Sequence, residues 1–167
     1  MNEWIKTYDP RAAEEIFRGE LEWLKQRIAQ NIILAGANAS GQTIASMEVK
    51  TTSTSGTLLG RNYFGTLETG RRAGKIPRNF GDIIYEWMQA KGIHANDGKD
   101  MNMAWAIAKT IARLGTTLHP PRGQGRDTIY SQEILRTTAN IHERISGLFS
   151  LMIGNIKLNI KDGGLIK

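Results

Sequence analysis

The sequence contains no cysteine in its 167 residues. Disulfide bonds, cysteine-ligated zinc and thiol catalysis are therefore excluded. A chain without cysteine is compatible with the cytosol, where disulfides are rare, and does not exclude an extracellular particle. Its stability must come from a packed core, and its chemistry from other polar side chains.

Long apolar runs are also missing. The longest apolar stretches, residues 32–35 and 148–153, are far shorter than the roughly 18 residues of a membrane span, so we expect no membrane contact. The opening Met-Asn-Glu-Trp lacks the basic-then-apolar order of a signal peptide. With 40% hydrophobic residues, the composition is that of a folded domain. We expect one domain, with an arm at 1–9, a body at 10–160 and a tail at 161–167.

Histidine, a common metal ligand and catalytic base, occurs only three times, at His94, His119 and His142. No two of these residues have the spacing of a metal-binding pair, and the sequence has neither a phosphate-binding P-loop nor a Gly-x-Ser-x-Gly nucleophile motif. We therefore expect no metal, no cofactor and no enzymatic activity. An enzyme would need a cleft that joins His94 or His119 to a carboxylate.

Asp9 and Pro10 predict the start of a long first helix, because aspartate is a good N-cap and proline fits the first helical turn. Apolar residues then recur at helical spacing over about 20–25 residues, and Gly36 is the expected stop. The residues of this apolar stripe are Ile16, Phe17, Leu21, Leu24, Ile28 and Ile32.

Residues 44–66 are typical of a β-hairpin or of two adjacent strands. Apolar and polar residues alternate from Ala45 to Thr51, a serine- and threonine-rich run ends at Gly56, and strand-forming residues follow. After a loop at 67–78, we expect a helix that ends at Lys91-Gly92. Its predicted buried stripe is Phe80, Ile83, Ile84, Trp87 and Met88.

Two more helices are predicted, one from Met103 to a stop at Gly115 and one from Ser131 to a break at Gly154. Residues 155–161 then alternate in polarity and predict a terminal strand. The fold class is therefore α+β. We expect a long N-terminal helix and further helices packed on a small antiparallel sheet, with an extended N-terminal arm and a C-terminal strand.

The 22 basic and 16 acidic residues give a net charge of +6, which permits contact with nucleic acid or an acidic partner without requiring it. Two loops, 71–78 and 122–126, concentrate basic residues. These loops either contact phosphates or an acidic partner, or are simply solvated. Their lack of aromatic residues argues against a base-stacking groove for single strands. The six candidate residues are Arg71, Arg72, Lys75, Arg78, Arg122 and Arg126.

Tryptophans are the other candidate contact residues, because interfaces use them as anchors. Trp87 falls on a core stripe and is predicted to be structural. Trp23 and Trp105 fall off the cleanest stripes, so they either anchor an interface or widen the core face. Trp4 lies in the arm before the first helix, where it is a candidate to clasp a neighbouring molecule.

Three pieces of the chain, in order, carry a resemblance to a known family. They are Phe64-Gly-Thr-Leu-Glu-Thr-Gly-Arg-Arg-Ala-Gly-Lys-Ile-Pro77, Ile84-Tyr-Glu-Trp-Met-Gln-Ala-Lys-Gly-Ile93 and Ala104-Trp-Ala-Ile-Ala-Lys-Thr-Ile-Ala-Arg-Leu-Gly-Thr116. The stretch covers about a third of the 167 residues and resembles the head–tail joining and tail-completion (neck) proteins of tailed bacteriophages. It departs from the family in its first piece, where a proline more often precedes the glycine.

The resemblance implies a structural α+β virion subunit without enzymatic activity, assembled in the host bacterial cytoplasm. Six or twelve copies would form a ring in the neck, between the portal or connector and the tail tube proteins. DNA would pass through the channel of this ring, so the basic loops would make transient, non-specific contact with it. The alternative from the residues alone is a small nucleic-acid-binding regulatory module, which requires the six basic candidates to converge on one face.

Overall fold

The computed structural model of the chain describes residues 9–61, 63–118 and 123–162. No helix in these ranges is long and apolar enough to cross a membrane. The elements are α1 (Pro10–Leu34), α2 (Gln42–Ala45), β1 (Glu48–Thr51), β2 (Gly56–Leu59), α3 (Thr66–Thr69), α4 (Phe80–Lys91), α5 (Asp100–Leu114) and α6 (Ser131–Asp162).

The chain divides into two compact units. The first unit comprises the chain up to Arg27, the segment Glu48–Leu59 and the chain from Glu133 onward. The second unit comprises Ile28–Met47 and Gly60–Gln132. The expectation of a single domain stays a prediction, and most of the predicted arm lies outside the described residues.

The first helix begins and ends as predicted. The Asp9 carboxylate accepts the backbone N–H of Arg11 at 2.9 Å, which satisfies one of the unpaired donors at the start of α1. The helix runs for 25 residues and ends at Leu34. Two residues later Gly36 has φ +63°, a conformation that favours glycine at the end of a helix.

In the first unit, α1 packs on a two-stranded antiparallel sheet, so the α+β class is confirmed. Val49 pairs with Leu58 in the register of β1 and β2. A Cβ at Gly56 would lie 2.6 Å from a methyl group of Leu21, so the helix approaches the sheet closely at this point. The strands are shorter than the predicted 44–66 region, since Ile44 lies in the short helix α2 and Thr66 begins the short helix α3.

The first unit also joins α1 to α6 in antiparallel fashion. Arg27 donates to Glu133 at 3.2 Å, and seven residues earlier Glu20 accepts from Arg144 at 2.8 Å. Both carboxylates are largely shielded, with 13% of each side chain exposed. Partial burial of one partner makes such pairs more favourable than ion pairs between fully exposed side chains.

The predicted C-terminal strand is wrong. Helix α6 continues without a break from Ser131 to Asp162, through Gly154 and the whole of 155–161. A glycine costs a helix about 1 kcal/mol relative to alanine, which a helix already nucleated over many turns can absorb. The alternation also hid a helical spacing, since Ile153, Ile156 and Ile160 recur at intervals of three and four residues.

The second unit has its core between α4 and α5. Ile84 and Met88 of α4 meet Ala104 and Ala108 of α5, and all four are buried. The small alanines let the helix axes approach closely. As predicted, α4 ends at Lys91, with Gly92 in the left-handed conformation, and α5 ends before Gly115.

The predicted core stripe of α4 is displaced by part of a turn. Gly81, Ile84 and Met88 are buried, whereas Ile83 is 47% exposed and Trp87 is 40% exposed. Gly81 explains the shift, because a Cβ there would lie 2.2 Å from the indole ring of Trp105. Because the indole ring packs on Gly81, the face of α4 that carries Ile83 and Trp87 is turned toward solvent. The interpretation of Trp87 as a core residue is therefore wrong.

Candidate interaction surface

Arg71, the first candidate of the basic loop 71–78, is partly buried and bonded within the second unit. Its guanidinium donates to the backbone carbonyl of Lys75 at 2.9 Å and stacks 4.2 Å from the ring centre of Phe80. Its backbone N–H donates to Thr116 Oγ1, and its carbonyl accepts the N–H of Thr116, both at 2.9 Å. Arg71 therefore shapes the loop and fixes it beside the end of α5.

Arg126 has a similar internal role in the second unit. Its side chain donates to the carbonyl of Leu67 at 2.9 Å and to the carbonyl of Ala35 at 3.3 Å. Its backbone N–H donates to the carbonyl of Glu68. Arg122 lies outside the described residues, as does His119.

Arg72, Lys75 and Arg78 present their side chains to solvent. Within the described ranges, none of the three forms a salt bridge. The loop backbone is held in place, since the N–H of Gly74 donates to the carbonyl of Ala112 at 2.8 Å. Three of the six basic candidates thus form an exposed cationic edge, which we call the basic edge, on a fixed backbone.

The combined variant Arg72→Ala, Lys75→Ala and Arg78→Ala should weaken binding to short duplex DNA while leaving the unfolding midpoint unchanged. Loss of three phosphate contacts should lower the slope of log K against log salt by about 2–3. Fluorescence anisotropy over a salt series measures this. The matched control removes Arg11, Lys50 and Lys99, which are equally charged but each sit beside a carboxylate. An equal loss in the control would show that only net charge matters.

Two of the three tryptophan candidates pack inside their own units. Trp23 is partly buried between two guanidinium groups, with Arg27 and Arg136 at 5.9 and 5.2 Å from its ring centre. Trp105 is partly buried against the α4–α5 core. These contacts favour the alternative that they widen core faces. Trp4 lies outside the described residues.

An exposed apolar groove in the second unit was not foreseen from the sequence. It has a volume of about 570 Å³, and we call it the Trp87 groove. Its main apolar residues are Tyr63, Ile83 and Trp87, which are 44%, 47% and 40% exposed. Arg61 and Glu86 supply one positive and one negative charge to its lining. The sequence signal was the apolar pair Ile83 and Trp87, which the helical pattern assigned to the core.

Hydrogen bonds hold the walls of the Trp87 groove in place. The Tyr63 hydroxyl lies 3.1 Å from Thr43 Oγ1 and accepts from Arg61 at 3.2 Å. Lys91 donates to the backbone carbonyls of Gly36 and Asn38, which fixes the start of the segment that forms another wall. The groove is therefore preformed, so a partner would not have to order it.

Glu68 is another feature that was not predicted from the sequence. It is 3% exposed, and its Oε1 accepts the backbone N–H groups of Ile129, Tyr130 and Ser131 at 2.6–3.0 Å. Its Oε2 accepts the hydroxyl of Ser131 at 2.5 Å. Burial, and then the charge of Glu68, raise the pKa of Tyr130. The only sequence signal was an isolated acidic residue in a loop otherwise rich in basic ones.

His94 lies beside a carboxylate, the pairing that an enzyme would need according to the sequence analysis. Its Nδ1 lies 2.9 Å from Asp100 Oδ2, beside an open cleft of about 590 Å³. The residues that line this cleft include no serine, threonine or cysteine that could act as a nucleophile. Asp100 also accepts from the N–H of Ala95 and from Gln89, so it closes the connection between α4 and α5.

The pH dependence of stability should report on Asp100. Its pKa is lowered, first by the hydrogen bond to His94 and then by that from Ala95. Because the folded form favours the carboxylate, this contribution is present above the unfolded value of 3.8 and is lost as the pH falls through the folded pKa. Asp100→Asn should therefore be less stable than the original chain near pH 6, and the gap should close as the pH falls below 3.8.

Urea unfolding over this pH range measures the difference. Asp97→Asn is the control, since Asp97 lies in the same loop and is paired with the exposed Lys99. A gap that stays constant with pH would contradict the assignment of this contribution to ionised Asp100.

Comparison with known proteins adds no family to this geometry. No family model, no curated protein and no solved structure matches the chain. Among the described residues, no group of three or more histidine, aspartate or glutamate side chains could hold a metal ion. Two exposed surfaces, the Trp87 groove and the basic edge, are the features of the structure that bear on function.

Proposed function

We propose that this protein is a structural virion subunit that assembles with itself into a ring of the bacteriophage neck and joins the portal or connector to the tail. The observation that carries the proposal is the Trp87 groove. Three large side chains stand 40% or more exposed in one preformed groove, and such patches mark protein interaction sites. A ring subunit needs such a surface, because each copy must bind a neighbour.

The resembling pieces of sequence support the same function. All three fall within the second unit, and each includes or ends next to a glycine with positive φ, namely Gly70, Gly92 and Gly115. Only glycine adopts such angles readily, so each of these positions requires glycine for the backbone to turn as it does. The glycines of the three resembling pieces therefore help to determine the fold of this unit.

The basic edge fits a DNA channel. Transit of DNA requires weak, non-specific contact, because tight binding would stall its movement. Three exposed cations provide weak attraction of that kind. The alternative of a nucleic-acid-binding module is less favoured, because it requires all six basic candidates on one face. The guanidinium groups of Arg71 and Arg126 instead donate to backbone carbonyls.

Light scattering across a concentration series, with and without short duplex DNA, tests the proposal. We expect assembly to one defined mass, six or twelve times that of the 18.6 kDa chain, at high concentration. Added DNA should bind only weakly and should not change the number of chains in each ring. A monomer or dimer that stays unchanged at all concentrations would overturn the proposal. If that species also binds DNA below micromolar at physiological salt, the nucleic-acid module is favoured instead.

A further inference from the structure

We propose that the Trp87 groove receives residues 1–8 of a second copy, with Trp4 and Ile5 against its apolar lining. The inference rests on the proposed self-assembly and names the two surfaces that make the contact. It rests on two observations: the chemistry of the groove and the chemistry of the segment.

The groove offers an apolar surface with one charge of each sign. Tyr63, Ile83 and Trp87 form the exposed apolar part, while Arg61 and Glu86 supply the charges. The Arg61 guanidinium lies 3.2 Å from the Tyr63 hydroxyl, so its charge is held beside the apolar part. A matching ligand would carry one or two large apolar side chains flanked by an anion and a cation.

The first eight residues, Met-Asn-Glu-Trp-Ile-Lys-Thr-Tyr, have this pattern. Trp4 and Ile5 are adjacent, with Glu3 on one side and Lys6 on the other. Glu3 complements Arg61 and Lys6 complements Glu86, which sets the direction in which the segment binds. Tryptophan is also the residue type that most often anchors an interface in a preformed pocket.

The proposed self-assembly favours a second copy as the donor of the segment, because only a segment from another copy joins two subunits.

The experiment uses the full chain with three single substitutions, each followed by light scattering and thermal unfolding. Trp4→Ala and Trp87→Ala should each raise the concentration for half-assembly by roughly 30-fold or more, the effect of losing an interface anchor. Leu135→Ala is the matched control, since Leu135 is 73% exposed on α6 outside the groove. It should leave assembly unchanged.

Mixing the two tryptophan variants tests whether the contact is made between copies. Each variant alone lacks one half of the contact. In a mixture, the intact segment of Trp87→Ala can enter the intact groove of Trp4→Ala, so one-to-one pairs should form at concentrations where neither variant assembles alone. A segment that binds within its own chain would give no such pairs, which would overturn the inference.

A charge exchange provides a test that does not remove apolar packing. Glu86→Lys should weaken assembly, and adding Lys6→Glu to the same chain should restore it, because every contact then carries the reversed pair. If the wild-type chain forms rings and both tryptophan variants assemble equally well, this contact is overturned and the proposed function stands. A wild-type chain that remains monomeric at every concentration would overturn both.

Discussion

Replacement of Glu68 by alanine should lower the free energy of unfolding by about 3–5 kcal/mol. The side chain is almost fully buried and accepts three backbone N–H groups and one hydroxyl group. Alanine would leave these donors without an acceptor, and each buried unsatisfied group costs about 1–3 kcal/mol. Partial entry of water keeps the total below the sum.

Urea unfolding of Glu68→Ala, Glu68→Gln and Glu143→Ala measures the effect. Glutamine keeps one acceptor oxygen for the three N–H groups, so it should cost less than alanine. Glu143 is exposed on α6, and its replacement should change the unfolding free energy by less than about 0.5 kcal/mol. If Glu68→Ala unfolds at the same urea concentration as Glu143→Ala, the carboxylate does not hold the start of α6.

Replacement of Gly81 by alanine should destabilise the second unit by about 2–3 kcal/mol, although alanine is the better helix former. The new methyl group would lie 2.2 Å from the Trp105 ring, far inside van der Waals contact. The ring is packed against the α4–α5 core and cannot move away without opening it.

The same change should reverse its sign once Trp105 is removed. In a Trp105→Ala background the obstacle is gone, so Gly81→Ala should stabilise by the helix-propensity difference of about 0.5–1 kcal/mol. Gly147→Ala in α6 is the matched control, because nothing lies within 4 Å of its added Cβ. It should stabilise in both backgrounds. A destabilising Gly81→Ala in both backgrounds would show that the indole ring is not the obstacle.

The sequence predicts those parts of the fold that depend on local chemistry. Asp9, Gly36 and Gly92 mark helix ends in the structure as they do in the sequence, because caps are set by a few neighbouring residues. The alternating pattern fails at residues 155–161, where the helix that began at Ser131 continues across Gly154. Here the length of the element outweighs the local pattern.

Tertiary contacts account for what the sequence could not predict about the candidate site. Ile83 and Trp87 look like core residues until the approach of Trp105 to Gly81 is known, since that approach decides which face of α4 is buried. Arg71 and Arg126 look like partner contacts until their carbonyl acceptors are seen. Glu68 meets its donors about 60 residues along the chain, a separation that no local pattern encodes.

The antiparallel pairing of α1 and α6 brings the start of α1 beside the second half of α6. Arg27 lies beside Glu133 and Glu20 beside Arg144, so Pro10 falls beside α6 residues at about 150–154. Helix α6 continues for about two further turns beyond that point. A pair of fluorescent labels, one near Pro10 and one at the exposed Leu151, would therefore report whether α1 and α6 remain paired as the protein assembles.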